Sequence, residues 1–544
     1  MSKVLERVVY NHLYVYLTDH SLLTWRNSGF KPLDSTVNQL IFLTHKIHEA
    51  LDQGKDVCMV FLDISKAFDK VYHDGLIYKL QTLGITGPLL NWFRSYLHER
   101  KQRVVLKGQT SSWQQTNAGV PQGSILGPVL FLVFINDLVE RLKSNPFLFA
   151  DDTSLFEVID DMLESSIRLN SDLAALQDWS AQWRVVFNEL KTVCMVFSRK
   201  LTRLALPPLF MNNSKLRQVE SHKHLGLTLS QSFTWDMHII NACNKANIRI
   251  GILKRLSRTL SRRSKETVYL SFIRPILEYG SVIYDGCTQK LNNLLEGVQR
   301  QAALACTGAY VKTSHSALLT ELGWDTLVTR REYQKLCYLY KMTHGLVPNY
   351  LSNLVPPLVS QTTNYNLRNA NNLIVPRCRT VSYLRSFLPS TIRLWNGLDP
   401  PTRCLPCLTR FRSTLRKHKS RRPNQLYSFG TGYGPLNHGR LRMGLSGLNH
   451  HRHKYNFIES SKCDKCNFRK EDCQHYLLKC PRYAAQRQTL LASLSTVPLQ
   501  LPVTPAEHTT FTNLLLNGSR ELNLATNIAI FLPVFIYIHQ TRRF

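Results

Sequence analysis

Two adjacent carboxylates, Asp151 and Asp152, stand between apolar runs in Leu148-Phe149-Ala150-Asp151-Asp152-Thr153-Ser154-Leu155-Phe156. The pattern suits a tight β-hairpin with acids at its tip better than a helix. Neighbouring carboxylates repel each other, and a bound cation is the usual means of keeping both ionised at the end of buried strands. A third carboxylate, Asp63, lies 88 residues upstream, where the apolar run Val57-Cys58-Met59-Val60-Phe61-Leu62 ends and the chain turns towards a helix. A strand-end aspartate beside a double-aspartate hairpin brings three carboxylates to one point. Hard oxygen donors at that density suit Mg²⁺, with substrate phosphates completing the shell. Two such ions, roughly 3.5–4 Å apart, activate an attacking hydroxyl and stabilise a leaving oxygen. That is the requirement of nucleotidyl transfer. Asp69 is better read as a helix-start charge.

Between the two acidic elements lies Ala118-Gly119-Val120-Pro121-Gln122-Gly123-Ser124-Ile125-Leu126-Gly127-Pro128, followed by an apolar helix. Its glycines let a planar base or a sugar approach the backbone closely. A second constellation stands near the C-terminus, where Cys463, Cys466, His475 and Cys480 are spaced C-x2-C-x8-H-x4-C. Three thiolates and one imidazole make the closed tetrahedral shell of a structural zinc site. At this point Cys473 competes for the third or fourth position. Cys404 and Cys407 have the CxxC spacing but no second pair, and their pairing is read as coincidence.

The elements that must position these residues follow from periodicity. Residues 57–62 and 193–197 read as buried strands, and 104–106 as a strand closing on a turn at Gly108. Helices are expected over 75–100, broken at Gly84 and at Gly87-Pro88, over 125–142, and over 160–183. Beyond residue 235 the pattern is mostly helical, over 237–257, 265–276 and 291–307. Helices and strands mixed in this way indicate an α+β layer fold.

The 544 residues exceed one compact domain. Lys and Arg number 68 against 37 Asp and Glu, a formal charge of +31. Such an excess is usually held against polyanions, nucleic acid above all. Residues 401–460 concentrate it, with 12 Lys and Arg against the single acid Glu459. A phosphate-contacting surface is preferred there to a solvated linker. No membrane partner is expected: the best apolar run, Ile528 to Ile538, is 11 residues long and contains Pro533. No signal peptide opens the chain. The 13 scattered cysteines suggest a reducing compartment.

With its acidic and glycine-rich segments in this order, the chain resembles a reverse transcriptase, specifically the RNA-directed DNA polymerase of a non-LTR, LINE-type (jockey-like) retrotransposon. Asn27-Ser28-Gly29-Phe30-Lys31 resembles the family's fingers motif, with Lys31 where Arg is commoner. Asp63 to Asp69 and Gly119 to Gly127 resemble its first two palm motifs, and Phe149 to Asp152 its metal-binding hairpin. Asn188-Glu189-Leu190-Lys191-Thr192 and His224-Leu225-Gly226 resemble the next motif and the primer-grip turn. The resemblance runs from Lys3 to about residue 345.

The resemblance implies a right-hand polymerase: fingers and palm over 1–230, a helical thumb-like region over 231–345, a basic nucleic-acid-contacting region over 346–460, a zinc module over 461–490 and a helical segment over 491–544. It implies that Asp63 and Asp151 ligate two Mg²⁺ ions and that Asp152 completes the cluster. Phe68 would lie against the sugar of the incoming nucleotide, Gln122 would touch nucleotide or template, and Lys191 would sit near the phosphates. Similar polymerases carry a C-terminal Cys/His cluster, and on that ground Zn²⁺ is assigned to Cys463, Cys466, His475 and Cys480. The implied partners are an RNA template, a DNA primer or target and dNTPs, in the nucleus or cytoplasm. The family has a further fingers strand and an endonuclease domain before the equivalent of Lys3. The chain is therefore read as N-terminally truncated and is expected to polymerise poorly alone, for want of charge-assisted contacts to phosphate. The alternative is an inactive relic that only binds nucleic acid.

Overall fold

A computed structural model describes residues 2–200, 206–256, 259–362, 369–419, 427, 429–430, 432–497, 504–519 and 521–544. The architecture is α+β, and the chain divides into two compact units. One comprises Met1–His238, Val282–Cys287 and Lys335–Cys404; the other comprises Ile239–Ser281, Thr288–Gln334 and Leu405–Phe544.

The first unit is built on a five-stranded sheet of β1 (Asp56–Leu62), β2 (Asn145–Phe149), β3 (Asp152–Ile159), β4 (Val193–Phe197) and β5 (Arg217–Gln218), in the order β5-β4-β1-β3-β2. All pairs are antiparallel except β5 with β4. Every residue of β1 is buried, as a central strand covered on both faces requires. Cys58, Val60 and Leu62 join a core with the helices Leu126–Ile135 and Met162–Trp183. On the opposite face Phe61 stacks on His222 of the hairpin Ser221–His224/Leu227–Ser230. Each fully buried aliphatic chain of β1 contributes about 1.5–3 kcal/mol, so this strand holds the end that carries Asp63 firmly in place.

Helix Leu126–Ile135 is apolar all round and almost wholly buried, which marks it as a core element. Its start is closed from far away, because the Glu6 carboxylate accepts the N–H groups of Ile125 and Leu126 at 2.7 and 3.4 Å. It ends earlier than its periodicity indicates. The Asn136 side chain accepts from the Thr24 N–H and donates to the Leu22 carbonyl, both at 2.8 Å, and a 3₁₀ turn follows over Asn136–Val139. Residues 162–183 form the expected long helix, with Asp161 accepting the Glu164 N–H at its start. The expected strand and turn near Gly108 appear as Val105–Leu106 paired with Gln109–Thr110.

In the second unit Asp236–Arg255 and Gln289–Thr307 are helical. The expected helix over 265–276 is interrupted: Arg262–Val268 passes through a π turn, Tyr269–Ile273, into Arg274–Glu278. Pro275 has no N–H to continue the ladder. The Pro- and Asn-rich stretch after residue 346 is not an extended linker where it is described. It forms short helices, including Phe387–Asn396, whose Leu388, Ile392 and Trp395 are buried. Helix Leu524–Thr541 is the one described helix long and apolar enough to cross a membrane. Its Ile530, Phe531, Val534 and Ile538 are buried in a core that includes residues of Tyr433–Arg442 and Ala484–Leu494.

Candidate functional site

The register of β1 against β3 ends on the pair Leu62–Thr153. Asp63, one residue further, therefore comes beside Asp152, the first residue of β3. Phe149 pairs with Asp152 across the β2–β3 hairpin, so Ala150 and Asp151 form its two-residue turn. Ala150 has a φ of 57°, the left-handed conformation that such turns demand and that a side chain resists.

That strained turn is held by a segment more than 120 residues away in the chain. Asn27, only 3 % exposed, accepts the Gly29 N–H at 3.0 Å and the Ala150 N–H at 3.3 Å through Oδ1. Ser28 N–H donates to the Leu148 carbonyl and Leu148 N–H to the Arg26 carbonyl, both at 2.9 Å, and Gln39 Nε2 donates to the Leu148 carbonyl at 3.0 Å. A Cβ at Gly29 would stand 2.3 Å from the Ala150 nitrogen, so only glycine fits. The Asn-Ser-Gly segment had been singled out by resemblance alone; its role as a clamp on the aspartate turn depends on tertiary packing and had no local signal.

Asp152 is exposed, yet its carboxyl is held above the usual range, first by partial burial, then by the neighbouring charges of Asp151 and Asp63. The three carboxylates thus act on one another. Asp63 carries a cation already: Lys191 Nζ lies 3.1 Å from its Oδ2. The turn bearing Lys191 is tied to the same strand end, since Asn188 N–H donates to the Asp63 carbonyl at 2.8 Å and Ser65 N–H to the Val186 carbonyl at 2.9 Å. Asp63, Asp152 and Lys191 line a cavity of ≈ 370 Å³ with Arg217, Lys223 and His224. Burial, with His222 adding to it, pushes the His224 imidazole down to about 3. It is neutral at physiological pH, so the positive charge of the cavity wall comes from lysine and arginine. Acidic donors facing basic side chains suit a divalent cation carrying a phosphate group. The Lys191 ammonium stands in for such a cation at Asp63.

The glycine-rich loop packs on the turn that follows Asp63. Gly119 N–H donates to the Val71 carbonyl and Val120 N–H to the Phe68 carbonyl, both at 2.8 Å. Gly119 has a φ of 93°, and a Cβ there would stand 2.8 Å from the Asp69 carbonyl oxygen. Gln122 Nε2 donates to Asp69 Oδ1 at 2.9 Å, so Asp69 positions Gln122 in addition to starting a turn. Phe68 is half-buried, stacked on Phe131 with centroids 4.6 Å apart and met edge-on by Phe30 at 5.8 Å.

The second candidate site lies in the other unit. The donor atoms of Cys463, Cys466, His475 and Cys480 all lie within 4.8 Å of one another, the only such convergence of three or more His, Cys, Asp or Glu among the described residues. Cys466 Sγ is 3.3 Å from His475 Nε2 and 3.9 Å from Cys480 Sγ. A tetrahedral zinc with ordinary bond lengths requires about 3.6 Å for S···N and about 3.8 Å for S···S, so the donor set fits that ion. Asn467, with a φ of 57°, turns the chain after Cys466, and Phe468 stacks on the His475 ring at 4.7 Å. Cys473 points elsewhere, with its Sγ 3.8 Å from His451 Nε2, which decides between it and His475. Cys404 and Cys407 are exposed thiols outside any such cluster.

Comparison with known proteins agrees with this geometry. Residues 1–229 match the family model described as reverse transcriptase (RNA-dependent DNA polymerase). The probable RNA-directed DNA polymerase from transposon BS of Drosophila melanogaster is 31% identical over 338 residues, 60% of this chain and 37% of that protein. The RNA-directed DNA polymerase from mobile element jockey of the same species is 29% identical over 326 residues, 58% and 35% respectively. The Pol polyprotein from the type-1 retrotransposable element R1 of Bradysia coprophila is 23% identical and covers 80% of this chain and 41% of that protein. The chain spans little more than a third of the first two relatives. It carries a reverse-transcriptase domain, related to those of non-LTR retrotransposon Pol proteins, and is classed with those enzymes by that kinship.

Proposed function

We propose that the turn carrying Asp63, Asp151 and Asp152 is the reaction centre of an RNA-directed DNA polymerase, extending a primer 3′-hydroxyl with dNTPs along an RNA template. The observation that carries this reading is the placement of strand-end Asp63 beside the Asp151–Asp152 hairpin, with Lys191 on Asp63, inside a reverse-transcriptase domain.

Asp63 and Asp151 would hold Mg²⁺, with Asp152 completing the carboxylate set. The metal, when bound, lowers the cost of the attacking and departing oxygens' negative charge. The chain's own residues do the remainder. Lys191 neutralises Asp63 in the free protein and is on hand to pair with an incoming triphosphate once a metal ion replaces it. Its long exposed stem makes that exchange cheap, because a surface ion pair is worth about 0–1 kcal/mol. Phe68, braced by Phe131, offers a rigid ring edge against the sugar. Gln122, tethered by Asp69, presents an amide to the base pair being formed. The basic side chains of Arg217 and Lys223 suit the primer backbone.

On the same reading residues 1–230 form fingers and palm and 231–345 a thumb-like region. Residues 346–460 contact nucleic acid, and Cys463, Cys466, His475 and Cys480 hold a structural zinc in a module over 461–490. Primer extension on an RNA template tests the proposal. Mg²⁺-dependent extension that Asp151→Ala abolishes is the expected result. A folded chain that binds RNA but gives no extension, or extension unchanged by Asp151→Ala, refutes it and leaves a binding protein.

A further inference from the structure

The second compact unit contains a cavity of ≈ 590 Å³, within the range of about 300–1,000 Å³ typical of small-ligand sites. Its wall includes Ser261, Arg262, Lys265, Cys306, Tyr427 and Phe429. Lys265 is 9 % exposed, and among the described residues its ammonium has no hydrogen-bond or ion-pair partner.

The other charges nearby are balanced. Arg262 donates through Nε to Glu266 at 2.8 Å, and through Nη1 and Nη2 to the carboxylate and carbonyl of Glu321 at 2.7 and 2.9 Å. Arg442 Nε donates to the other Glu321 oxygen at 3.1 Å. Two guanidiniums therefore meet two carboxylates, and Lys265 is left as the excess positive charge. The Cys306 thiol is pushed up to about 12 by burial and stays neutral at physiological pH, so it supplies no counter-charge. Burial draws the Lys265 pKa down from its ordinary value. An enclosed, unpaired ammonium is costly, and a cavity beside it offers room for the missing anion. Tyr427 and Phe429 add ring surface of the kind on which a nucleic-acid base stacks whatever its sequence.

We propose that this cavity is a second nucleic-acid site, taking one phosphodiester of a single-stranded chain with Lys265 as its counter-ion and an aromatic ring against the adjoining base. The site needs no catalysis and stands independently of the aspartate turn. The full chain is titrated with a fluorescent single-stranded RNA 15-mer, as wild type, Lys265→Met and Lys265→Arg. Lys265→Met should weaken binding about 10- to 100-fold, the range for a lost charged hydrogen bond. It should also flatten the slope of log K against log salt by about 0.7. Lys265→Arg should retain most of the affinity. Methionine fills a similar volume without the charge, so Lys265→Met should melt no lower than wild type in the absence of anion. Equal RNA binding by wild type and Lys265→Met overturns the proposal. Melting shifts separate the sources of phosphate. Stabilisation by inorganic phosphate or adenosine 5′-monophosphate that the RNA cannot displace would also overturn it, in favour of a free nucleotide site. A readout on the wild type is independent of any variant: RNA should shield Lys265 from acetic anhydride while exposed Lys290 still reacts, and unshielded Lys265 refutes the assignment.

Discussion

Removing the Asn27 amide tests how the aspartate turn is held. Its Oδ1 accepts two N–H groups, from Gly29 at 3.0 Å and Ala150 at 3.3 Å. Asn27→Ala leaves both donors buried and unsatisfied, and each such donor costs about 1–3 kcal/mol. The Ala150 bond is the longer, so its share lies at the low end, and the sum is about 2–4 kcal/mol. The bonds from Ser28, Leu148 and Gln39 that dock the same strands remain, so the loss should be confined to the turn. Amide hydrogen exchange read by mass spectrometry on peptides covering 26–31 and 147–153 is the assay. At an opening cost lowered by 2–4 kcal/mol, exchange in the second peptide should quicken by about 30- to 1,000-fold, while peptides from β4 keep their protection. Divalent-cation affinity should fall with it, because a loosened turn no longer presents Asp151 and Asp152 together with Asp63. Exchange at 147–153 unchanged from wild type would refute the reasoning, since it would mean that the left-handed Ala150 is stable without its acceptor.

Four further outcomes follow from the same structure. Glu6→Ala should destabilise the first unit by about 1–2 kcal/mol, the usual worth of a helix cap, and Glu6→Gln should recover most of it in urea unfolding; equal midpoints for the two would count against the capping role. The folded pKa of Asp152 is raised, by burial first and then by Asp151 and Asp63. Its ionisation therefore removes stability as pH rises through the ordinary carboxylate range to the folded value. Asp152→Asn should accordingly melt higher than wild type at pH 7, with the gap closing towards pH 3 in a fluorimetric melting series. Asp52 has the opposite sign: burial opposes its charge, but the N–H groups of Arg379 and Thr380, the latter at 2.7 Å, prevail and hold its carboxyl below the usual range. Its contribution is present above about pH 4 and lost as pH falls through the folded pKa, so Asp52→Asn should lower the melting point at pH 7 and much less at pH 3. Elemental analysis of the purified chain should find one zinc, and Cys466→Ser should release it and lower the melting point; a metal-free chain of unchanged stability would sink the site.

The parts of this molecule legible in its sequence are those whose cause is local. Strand 193–197 and helix 162–183 announce themselves by apolar period, and the aspartate hairpin by two acids between apolar runs. The Cys/His spacing likewise survives as a converged cluster because a short turn and one further helical turn suffice to bring the four donors together. What was not legible depends on partners far away in the chain. Glu6 closes a helix that starts 119 residues later, and Asp52 accepts N–H groups 327 and 328 residues on. Asn136 ends an apolar helix that its own period would have continued to residue 142. None of these polar side chains sits in a motif, and each looks like a solvated surface residue until tertiary structure supplies the donor.

The same distinction explains the charges. Adjacent aspartates can be read directly as a place that wants a cation, because their repulsion is written in two consecutive residues. A single lysine carries no such sign. Lys191 and Lys265 are alike in sequence, each one basic residue in a chain of net charge +31. Lys191 lies on an exposed turn with Asp63 against it, so its charge is answered and its release costs little. Lys265 is enclosed beside arginines that have taken both nearby carboxylates, so its charge is unanswered inside the protein. The first lysine is suited to exchange between an aspartate and a passing triphosphate, the second to retain an anion once it has entered. That difference lies in which carboxylates the fold has already committed, which no reading of neighbouring residues contains.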